Sequence, residues 1–140
     1  MIKIIKETSV SIDDVLHLYQ AVGWTNYTNQ PQMLEQALSH SLATYLARDG
    51  EEIVGIVRLV GDGFSSVFVQ DLIVLPSYQR QGIGSNLMKE ALADYKDAYQ
   101  IQLATEQTEK NLGFYRSLGF ETLSTYDCTG MIWVDRKKFK

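Results

Sequence analysis

The middle of the chain carries the segment Leu72-Ile-Val-Leu-Pro-Ser-Tyr-Gln-Arg-Gln-Gly-Ile-Gly-Ser-Asn-Leu-Met88. Its first residues are apolar and predict a strand, which Pro76 ends because proline cannot donate to a sheet ladder. Gly82 and Gly84 then precede apolar residues at helical spacing, which predict a helix from Ile83 to about Asp97. The first N–H groups of a helix have no partner within it, and the helix dipole adds partial positive charge there. This strand, glycine turn and helix therefore predict a phosphate-binding site.

Two common phosphate loops do not match this turn. A dinucleotide-binding loop requires a third glycine or an alanine where Leu87 stands, and a P-loop requires lysine followed by serine or threonine where Ser85 and Asn86 stand. A tight strand-to-helix turn without a ligand is the alternative, because Gly-x-Gly also occurs in ordinary turns. The turn alone leaves both interpretations open.

Composition restricts the class of protein. The 140 residues are 45% hydrophobic and 21% charged, which is typical of one globular domain, here residues 1–140. No apolar run approaches the roughly 20 residues that span a bilayer, and the N-terminus does not resemble a signal peptide, so we expect a cytoplasmic protein without a membrane partner. The single cysteine, Cys128, excludes an internal disulfide, and His17 and His40 are too isolated to predict a metal site.

The net charge of −4 is concentrated in the first half of the chain. Residues 1–70 contain four Lys or Arg and eight Asp or Glu, whereas residues 71–140 contain nine of each. No basic patch indicates a nucleic-acid partner. The acidic half suits either a cationic small-molecule substrate or simple solubility. We attach no function to the basic tail, Arg136 to Lys140.

Hydrophobic periodicity and turn residues predict an α+β domain with a central mixed, mostly antiparallel sheet of about seven strands and four flanking helices. The strands are expected at 2–6, 44–48, 53–60, 64–75, 100–105, 120–123 and 131–134, and the last two form a hairpin. The helices are expected at 12–22, 31–42, 83–97 and 109–118. Ser11 and Asp14 predict a capping box, Pro31 suits the first turn of the second helix, and residues 23–29 are expected to form a loop.

A second motif lies after one further helix and strand. It reads Asn111-Leu-Gly-Phe-Tyr-Arg-Ser-Leu-Gly-Phe120, and the turn described above reads Gln79-Arg-Gln-Gly-Ile-Gly84. Together the two motifs resemble the GCN5-related N-acetyltransferase (GNAT) superfamily, whose Gln/Arg-x-x-Gly-x-Gly/Ala loop holds the pyrophosphate of acetyl-CoA. The resemblance covers nearly the whole chain. It implies the GNAT fold and acetyl-CoA as cosubstrate, and the isolated histidines add the expectation of no metal.

A narrower similarity concerns the acceptor. Residues 70–84, 114–120 and 130–133 are similar to the chloroplast and cyanobacterial serotonin N-acetyltransferase group, whose members acetylate arylalkylamines. That group usually has Trp-Asp where this chain has Gln70-Asp71, which is a departure from its pattern. The resemblance therefore implies an amine acceptor and leaves an arylalkyl group open.

Amide formation from an amine and a thioester requires a base, because an alkylammonium has a pKa of about 10 in water. Asp71 is the first candidate, since it shares a predicted apolar strand face with Val69 and Ile73, and burial would raise its pKa. An ion pair with Arg58 on a neighbouring strand is the alternative, and a bulge here would change the face. Glu106, after the fifth strand, is the second candidate, with a solvated position at the helix start as its alternative.

The resemblance also implies roles for the two motifs. Tyr115 would be the general acid toward the CoA thiolate, unless it is a core aromatic residue. Many superfamily members have asparagine seven residues before this tyrosine to contact the pantetheine arm; Thr108 stands there, and Asn111 shares the helix face of Tyr115. Pyrophosphate contacts are expected from the loop, namely Gln79, Arg80, Gln81, Gly82, Ile83, Gly84 and Ser85. Backbone contacts to pantetheine are expected from Leu72, Ile73 and Val74.

The expected function is acetyl transfer from acetyl-CoA to a small primary amine by direct attack in a ternary complex, because no Cys or Ser nucleophile is suitably presented. Trp24 and Tyr27 either line the acceptor pocket or pack in the core. A protein acetyltransferase acting on lysine or an N-terminus and a non-catalytic acyl-CoA-binding module are the alternatives. The sequence leaves the choice between a monomer and a homodimer open.

Overall fold

Alternating apolar residues form five strands in the computed structural model, which describes residues 1–135. The strands are β1 (Ile2–Glu7), β2 (Ala43–Asp49), β3 (Glu52–Gly61), β4 (Ser66–Val74) and β5 (Gln100–Leu103). The α-helices are α1 (Ile12–Ala21), α2 (Thr25–Thr28), α3 (Pro31–Ser39), α4 (Ile83–Asp94) and α5 (Glu109–Ser117). The chain divides into two compact units, Met1–Leu103 and Ala104–Lys140, and only α5 of these elements lies in the second. None of the helices in the described range is long and apolar enough to cross a membrane.

The strands form one mixed sheet in the order β1-β2-β3-β4-β5. The first three neighbouring pairs are antiparallel and are joined by short connections or by helices, whereas β4 and β5 are parallel. A parallel pair requires a crossover connection, and α4 provides it. The predicted α+β architecture with a mixed sheet is therefore confirmed at this level.

The predicted hairpin near the C-terminus is wrong. Residues Leu123–Tyr126 form a 3-10 turn, and residues 127–135 contain no strand. Local bonds form at the start of this segment, where the N–H of Cys128 donates to the Leu123 carbonyl oxygen at 3.0 Å. The described residues consequently contain five strands instead of the predicted seven. The basic tail, residues 136–140, lies outside them.

A fifth helix replaces part of the predicted loop at residues 23–29. Gly23 adopts a left-handed conformation, with φ of 71°, which ends α1 and lets the chain start the short helix α2. The N-termini of α3 and α1 agree more closely with the helix starts predicted from the sequence. Pro31 occupies the first turn of α3, and Ser11 caps α1 by accepting a hydrogen bond from the Asp13 N–H at 3.2 Å, not from Asp14 as a capping box requires.

The helices of the first unit cover both faces of the sheet. Helices α1, α2 and α3 bury a cluster of apolar side chains against β2, β3 and β4, whose members include Leu18, Leu34, Leu46, Ile56 and Ile73. Helix α4 packs on the opposite face, where a Cβ on Gly55 would lie 3.1 Å from the Leu87 side chain. The absence of a side chain at Gly55 thus lets α4 approach β3 closely.

Candidate functional site

Strand β4 contains a bulge near its centre. Arg58 of β3 pairs with Asp71, but the next residue of β3, Leu59, pairs with Val69, so Gln70 is the extra residue. Because side chains alternate along β3, the bulge turns Asp71 and Val69 toward opposite faces of the sheet. This corrects the prediction that the two side chains share a face. Asp71 faces α1, α2 and α3.

Beyond the bulge, the edge of β4 is open. Among residues 1–135, β5 is the only strand on this side, and it pairs with Ser66–Val69 alone. The Leu75 N–H donates to β3 at 2.9 Å, and backbone direction alternates along an antiparallel strand. Leu72 and Val74 therefore direct backbone groups to the open side, where an extended ligand could pair as an added strand. Ile73 directs its backbone groups toward β3, so this geometry does not support the predicted backbone contact from Ile73.

The segment of residues 79–85, here called the anion loop, leads from β4 into α4. Gly82 is the N-cap of α4 in a left-handed conformation, with φ of 80°, and no side chain caps the helix. The first bond of the helix runs from the Asn86 N–H to the Gly82 carbonyl oxygen, at 3.0 Å. Three earlier N–H groups have no acceptor within the described part of the chain, those of Ile83, Gly84 and Ser85. Unpaired amides at the positive end of a helix dipole form a site suited to an anion.

Two side chains, those of Tyr78 and Gln79, hold the start of the anion loop through hydrogen bonds. The Gln79 Nε2 donates to the Val74 carbonyl oxygen at 3.0 Å, so one of the amide hydrogens predicted to face the pyrophosphate is already used. The Tyr78 hydroxyl donates to Asp49 Oδ2 at 2.7 Å, and Glu52 Oε1 lies 3.2 Å from the same oxygen. The hydrogen bond to Asp49 is the main cause that raises the pKa of Tyr78 to about 12. The loop is thus tied to the end of β4 and to the β2–β3 hairpin.

Asp71 lies at the centre of a buried group of polar side chains, here called the Asp71 cluster, which comprises Asp71, Arg58, Tyr19, Tyr27 and Ser41. The Asp71 Oδ2 accepts from Arg58 Nε at 2.7 Å and from the Tyr19 hydroxyl at 2.8 Å, and Oδ1 accepts from the Tyr27 hydroxyl at 2.9 Å. Arg58 also donates to the Tyr27 hydroxyl oxygen and to Ser41 Oγ, each at 3.2 Å. The ion pair with Arg58, which the sequence offered as the alternative role of Asp71, is therefore present.

The cluster fixes the protonation state of its donors. Burial, followed by the charge of Asp71, raises the pKa of Tyr19 and of Tyr27. For Arg58, burial lowers the pKa, but the charge and hydrogen bond of Asp71 outweigh it, and the pKa is raised. At neutral pH the two hydroxyls and the guanidinium are thus protonated and act as donors. They fill most of the hydrogen-bonding capacity of one carboxylate.

The predicted acceptor residues differ in their surroundings. The rings of Tyr19 and Tyr27 meet edge to face with centroids 5.0 Å apart, and Trp24 packs 6.1 Å from Tyr19. Tyr27 is buried and its hydroxyl belongs to the Asp71 cluster, whereas Trp24 is half-buried. Trp24 is therefore the one of the two that keeps part of its ring available to a ligand.

In the second unit, helix α5 presents the other predicted residues. Thr108 caps the helix by accepting from the Asn111 N–H at 3.1 Å, and Asn111 Nδ2 donates to Thr105 Oγ1 at 3.1 Å. Tyr115 follows one turn later and is half-buried, and burial raises its pKa. Glu106 is exposed, and its carboxylate forms no hydrogen bond or ion pair within residues 1–135.

Tyr19 and Tyr78 are among the residues of the site that were not predicted from the sequence. Tyr19 stands in the apolar stripe of α1, where a hydroxyl among buried positions is a signal for a hydrogen-bond partner. Tyr78 gave no such signal, because its partner Asp49 lies 29 residues away on a hairpin.

Comparison with known proteins gives consistent matches. A sequence model of the family described as acetyltransferase (GNAT) domain matches residues 40–122. A protein from Oryza sativa subsp. japonica named serotonin N-acetyltransferase 2, chloroplastic, is 29% identical over 117 residues, which cover 81% of this chain and 58% of that protein. The chain spans between 58% and 66% of the length of two curated plant relatives.

Solved structures match the fold over most of the chain. A GNAT family acetyltransferase from Streptococcus pneumoniae TIGR4 is 75% identical, with a TM-score of 0.90, and the match covers 97% of this chain and 99% of that one. A GNAT family acetyltransferase from Elizabethkingia anophelis, solved with acetyl-CoA bound, has a TM-score of 0.63 at 23% identity, with 86% of this chain and 76% of that one covered.

Proposed function

The chain belongs to the acetyltransferase (GNAT) domain family, and on this basis we propose that it transfers the acetyl group of acetyl-CoA to a small primary amine. One observation supports the proposal most directly. The unpaired amides of the anion loop follow an open strand edge, toward which Leu72 and Val74 direct backbone groups, although Gln79 Nε2 already occupies the Val74 carbonyl oxygen. This arrangement, in which an open strand edge is followed by a helix N-terminus, suits a ligand that has an extended amide-containing arm and ends in a diphosphate.

Acetyl-CoA has both of these features. The anion loop would hold its pyrophosphate through the N–H groups of Ile83, Gly84 and Ser85, with exposed Arg80 adding a charged contact. Leu72 and Val74 would pair with the amides of the pantetheine arm, and Asn111 is a further candidate contact for that arm. The fold match to a protein solved with acetyl-CoA bound supports the choice of this cosubstrate.

The proposed reaction forms a carbon–nitrogen bond and breaks the carbon–sulfur bond of the thioester. Tyr115 would donate its hydroxyl proton to the departing sulfur, since its raised pKa keeps it protonated at neutral pH. The amine nitrogen gives up a proton to a base and attacks the acetyl carbon directly. Direct attack is favoured because the single thiol, that of Cys128, has no hydrogen-bonded basic side chain among the described residues.

The surroundings of Asp71 change the assignment of the base that accepts the proton of the amine. Asp71 is 2% exposed, and three donors occupy its carboxylate. We therefore assign Asp71 a positioning role in the Asp71 cluster and propose Glu106, whose carboxylate is exposed and unpaired within the described chain, as the base. A water molecule that passes the proton on is the alternative.

The acceptor is proposed to be a small amine that is cationic at neutral pH. The half-buried ring of Trp24 offers a surface that suits an aryl group or a cation. The rice relative named as a serotonin N-acetyltransferase supports an arylalkylamine. A cytoplasmic location is also a proposal, and cell fractionation tests it.

The direct test combines binding and turnover. Isothermal titration with acetyl-CoA measures the first step, and thiol release in the presence of individual amines, with the product identified by mass spectrometry, measures the second. We expect one acetylated amine per thiol released and no release above background without an amine. Release only with peptides that carry a free N-terminus or lysine would assign a protein acceptor. Binding without any turnover would leave a non-catalytic acyl-CoA-binding module, and no binding would contradict the proposal.

A further inference from the structure

The anion loop begins directly after a side chain that ties it to a distant hairpin. Tyr78 ends the 3-10 turn Pro76–Tyr78, and its hydroxyl donates to Asp49 Oδ2 at 2.7 Å and reaches Glu52 Oε1 at 3.2 Å. Asp49 is the last residue of β2 and Glu52 is the first of β3, so both carboxylates lie outside the anion loop. We propose that Tyr78 is a positioning residue for the anion loop, acting through these two carboxylates, and this inference rests on the proposed function.

The backbone alone restrains the start of the loop weakly. The Tyr78 N–H donates to the Leu75 carbonyl oxygen at 2.8 Å, but the next bond of the turn, from Gln79 to Pro76, is stretched to 3.3 Å. Besides the bond from Gln79 Nε2 to the Val74 carbonyl oxygen, which connects the loop to the end of β4, the phenol hydroxyl bond therefore links this turn to the β2–β3 hairpin. A hydrogen bond to a charged carboxylate is stronger than one between neutral groups, which makes Tyr78 an effective anchor.

The conformation of the loop explains why an anchor is needed. Arg80 has φ of 66°, a left-handed conformation that a residue with a side chain adopts only at a cost, and Gly82 has φ of 80°. At the far end, Ile83 is 3% exposed and fixes the start of α4 in the core. With Tyr78 held at the near end, the strained loop is fixed on both sides, and its free amides keep the direction that a diphosphate requires.

This role predicts an effect that depends on the diphosphate of the donor. The anion loop would contact the pyrophosphate only, so loosening it should weaken binding of CoA and leave the use of a donor without pyrophosphate unchanged. S-acetylpantetheine is such a donor, because it carries the same thioester and the same amide arm. A general loss of stability would affect both donors alike.

The test compares Tyr78→Phe with wild type and with Tyr45→Phe. The Tyr45 hydroxyl donates to Asp94 Oδ2 at 2.6 Å, so this control removes a tyrosine–aspartate bond of similar length outside the anion loop. For Tyr78→Phe we expect CoA binding by isothermal titration to weaken about three- to tenfold. The KM for acetyl-CoA should rise with kcat retained, and kcat/KM for S-acetylpantetheine should stay within about twofold of wild type. Tyr45→Phe should leave the Kd for CoA unchanged.

A second substitution tests whether the loss of CoA affinity depends on the charge of Asp49. Asp49→Asn keeps an acceptor oxygen for the Tyr78 hydroxyl but removes the charge, so its loss of CoA affinity should be smaller than that of Tyr78→Phe. Equal CoA affinity in Tyr78→Phe and wild type, or equal losses for acetyl-CoA and S-acetylpantetheine, would overturn the inference while leaving the proposed function intact. Failure of the wild-type protein to bind CoA would instead overturn the proposed function and this inference with it.

Discussion

The Nε of Arg58 lies 2.7 Å from Oδ2 of Asp71, and these side chains are 4% and 2% exposed. Each partner belongs to a largely apolar strand in the middle of the sheet. An unpaired charge would be costly to bury there. The pair joins β3 to β4 immediately beside the bulge at Gln70. The pair therefore lies next to the point at which β4 loses its parallel partner and its edge becomes open.

Asp71→Asn should destabilise the protein strongly, because it leaves the buried guanidinium of Arg58 without a counter-charge. We expect the free energy of unfolding in urea at pH 7 to fall by about 3–5 kcal/mol. Asp97→Asn, on an exposed surface, is the control and should change it by less than about 0.5 kcal/mol. A decrease of similar size in both variants would contradict the assignment of Asp71 to a buried ion pair.

The two tyrosines of the Asp71 cluster should differ in their contribution to stability. Tyr27→Phe removes the donor to Asp71 Oδ1 and the acceptor for Arg58 Nη2, whereas Tyr19→Phe leaves Asp71 Oδ2 still bonded to Arg58. We expect a loss of about 2–3 kcal/mol for Tyr27→Phe and about 1 kcal/mol for Tyr19→Phe, measured by urea unfolding. The reverse order would mean that the hydroxyl of Tyr19 is the more important donor.

Alkaline pH should destabilise the folded protein through the same tyrosines. Their pKa values are raised in the folded state, so above pH about 10 the unfolded chain releases tyrosine protons that the folded chain retains. The stabilising contribution is complete below that pH and is lost as the pH rises toward the folded-state pKa values. The free energy of unfolding should decrease less steeply between pH 9 and pH 11 in Tyr19→Phe than in wild type. Identical slopes would argue that Tyr19 ionises as readily when folded as when unfolded.

Gly82→Asp should reduce affinity for acetyl-CoA while the fold persists. No atom lies within 4 Å of a Cβ built on Gly82, and aspartate and asparagine tolerate the left-handed conformation better than other residues with side chains. A carboxylate at this N-cap would occupy the anion site and repel a diphosphate, so the Kd from isothermal titration should rise more than about tenfold. Gly82→Asn, which has the same shape without the charge, should lose less. Equal affinities for Gly82→Asp and wild type would exclude the anion loop as the pyrophosphate site.

Two substitutions in the second unit test the proposed proton transfers. Tyr115→Phe removes the proposed acid and Glu106→Gln the proposed base, and each should lower kcat about 100-fold while the Kd for CoA stays within about twofold of wild type. Tyr126→Phe, at a tyrosine that is 72% exposed, should leave both quantities unchanged. Unchanged kcat in Glu106→Gln would assign the proton to a water molecule, and unchanged kcat in Tyr115→Phe would remove the tyrosine from the mechanism.

Much of the fold could be predicted because its signals are local. The strand that ends before Pro76, the glycine turn and the helix that starts at Ile83 all follow from the backbone preferences of the residues themselves. The pairing of Asp71 with Arg58 was also available as an alternative, since two opposite charges on neighbouring apolar strands favour each other. The position of the anion loop could therefore be predicted from the sequence, and its candidate ligand class from the resemblance of its motifs to the GNAT superfamily.

The sheet register and the buried contacts required the tertiary structure. Whether Val69 or Asp71 faces α1 depends on the bulge at Gln70, and a pattern of period two does not encode one extra residue. The hydroxyls of Tyr19 and Tyr27 meet Asp71 across 52 and 44 residues of chain, and no local preference specifies such contacts. In place of the predicted C-terminal hairpin, Leu123–Tyr126 form a 3-10 turn and residues 127–135 contain no strand, so the alternating pattern alone did not select a strand. The local sequence therefore determined where most helices and strands lie along the chain. Packing and hydrogen bonding between residues distant in sequence determined the strand register and the buried contacts.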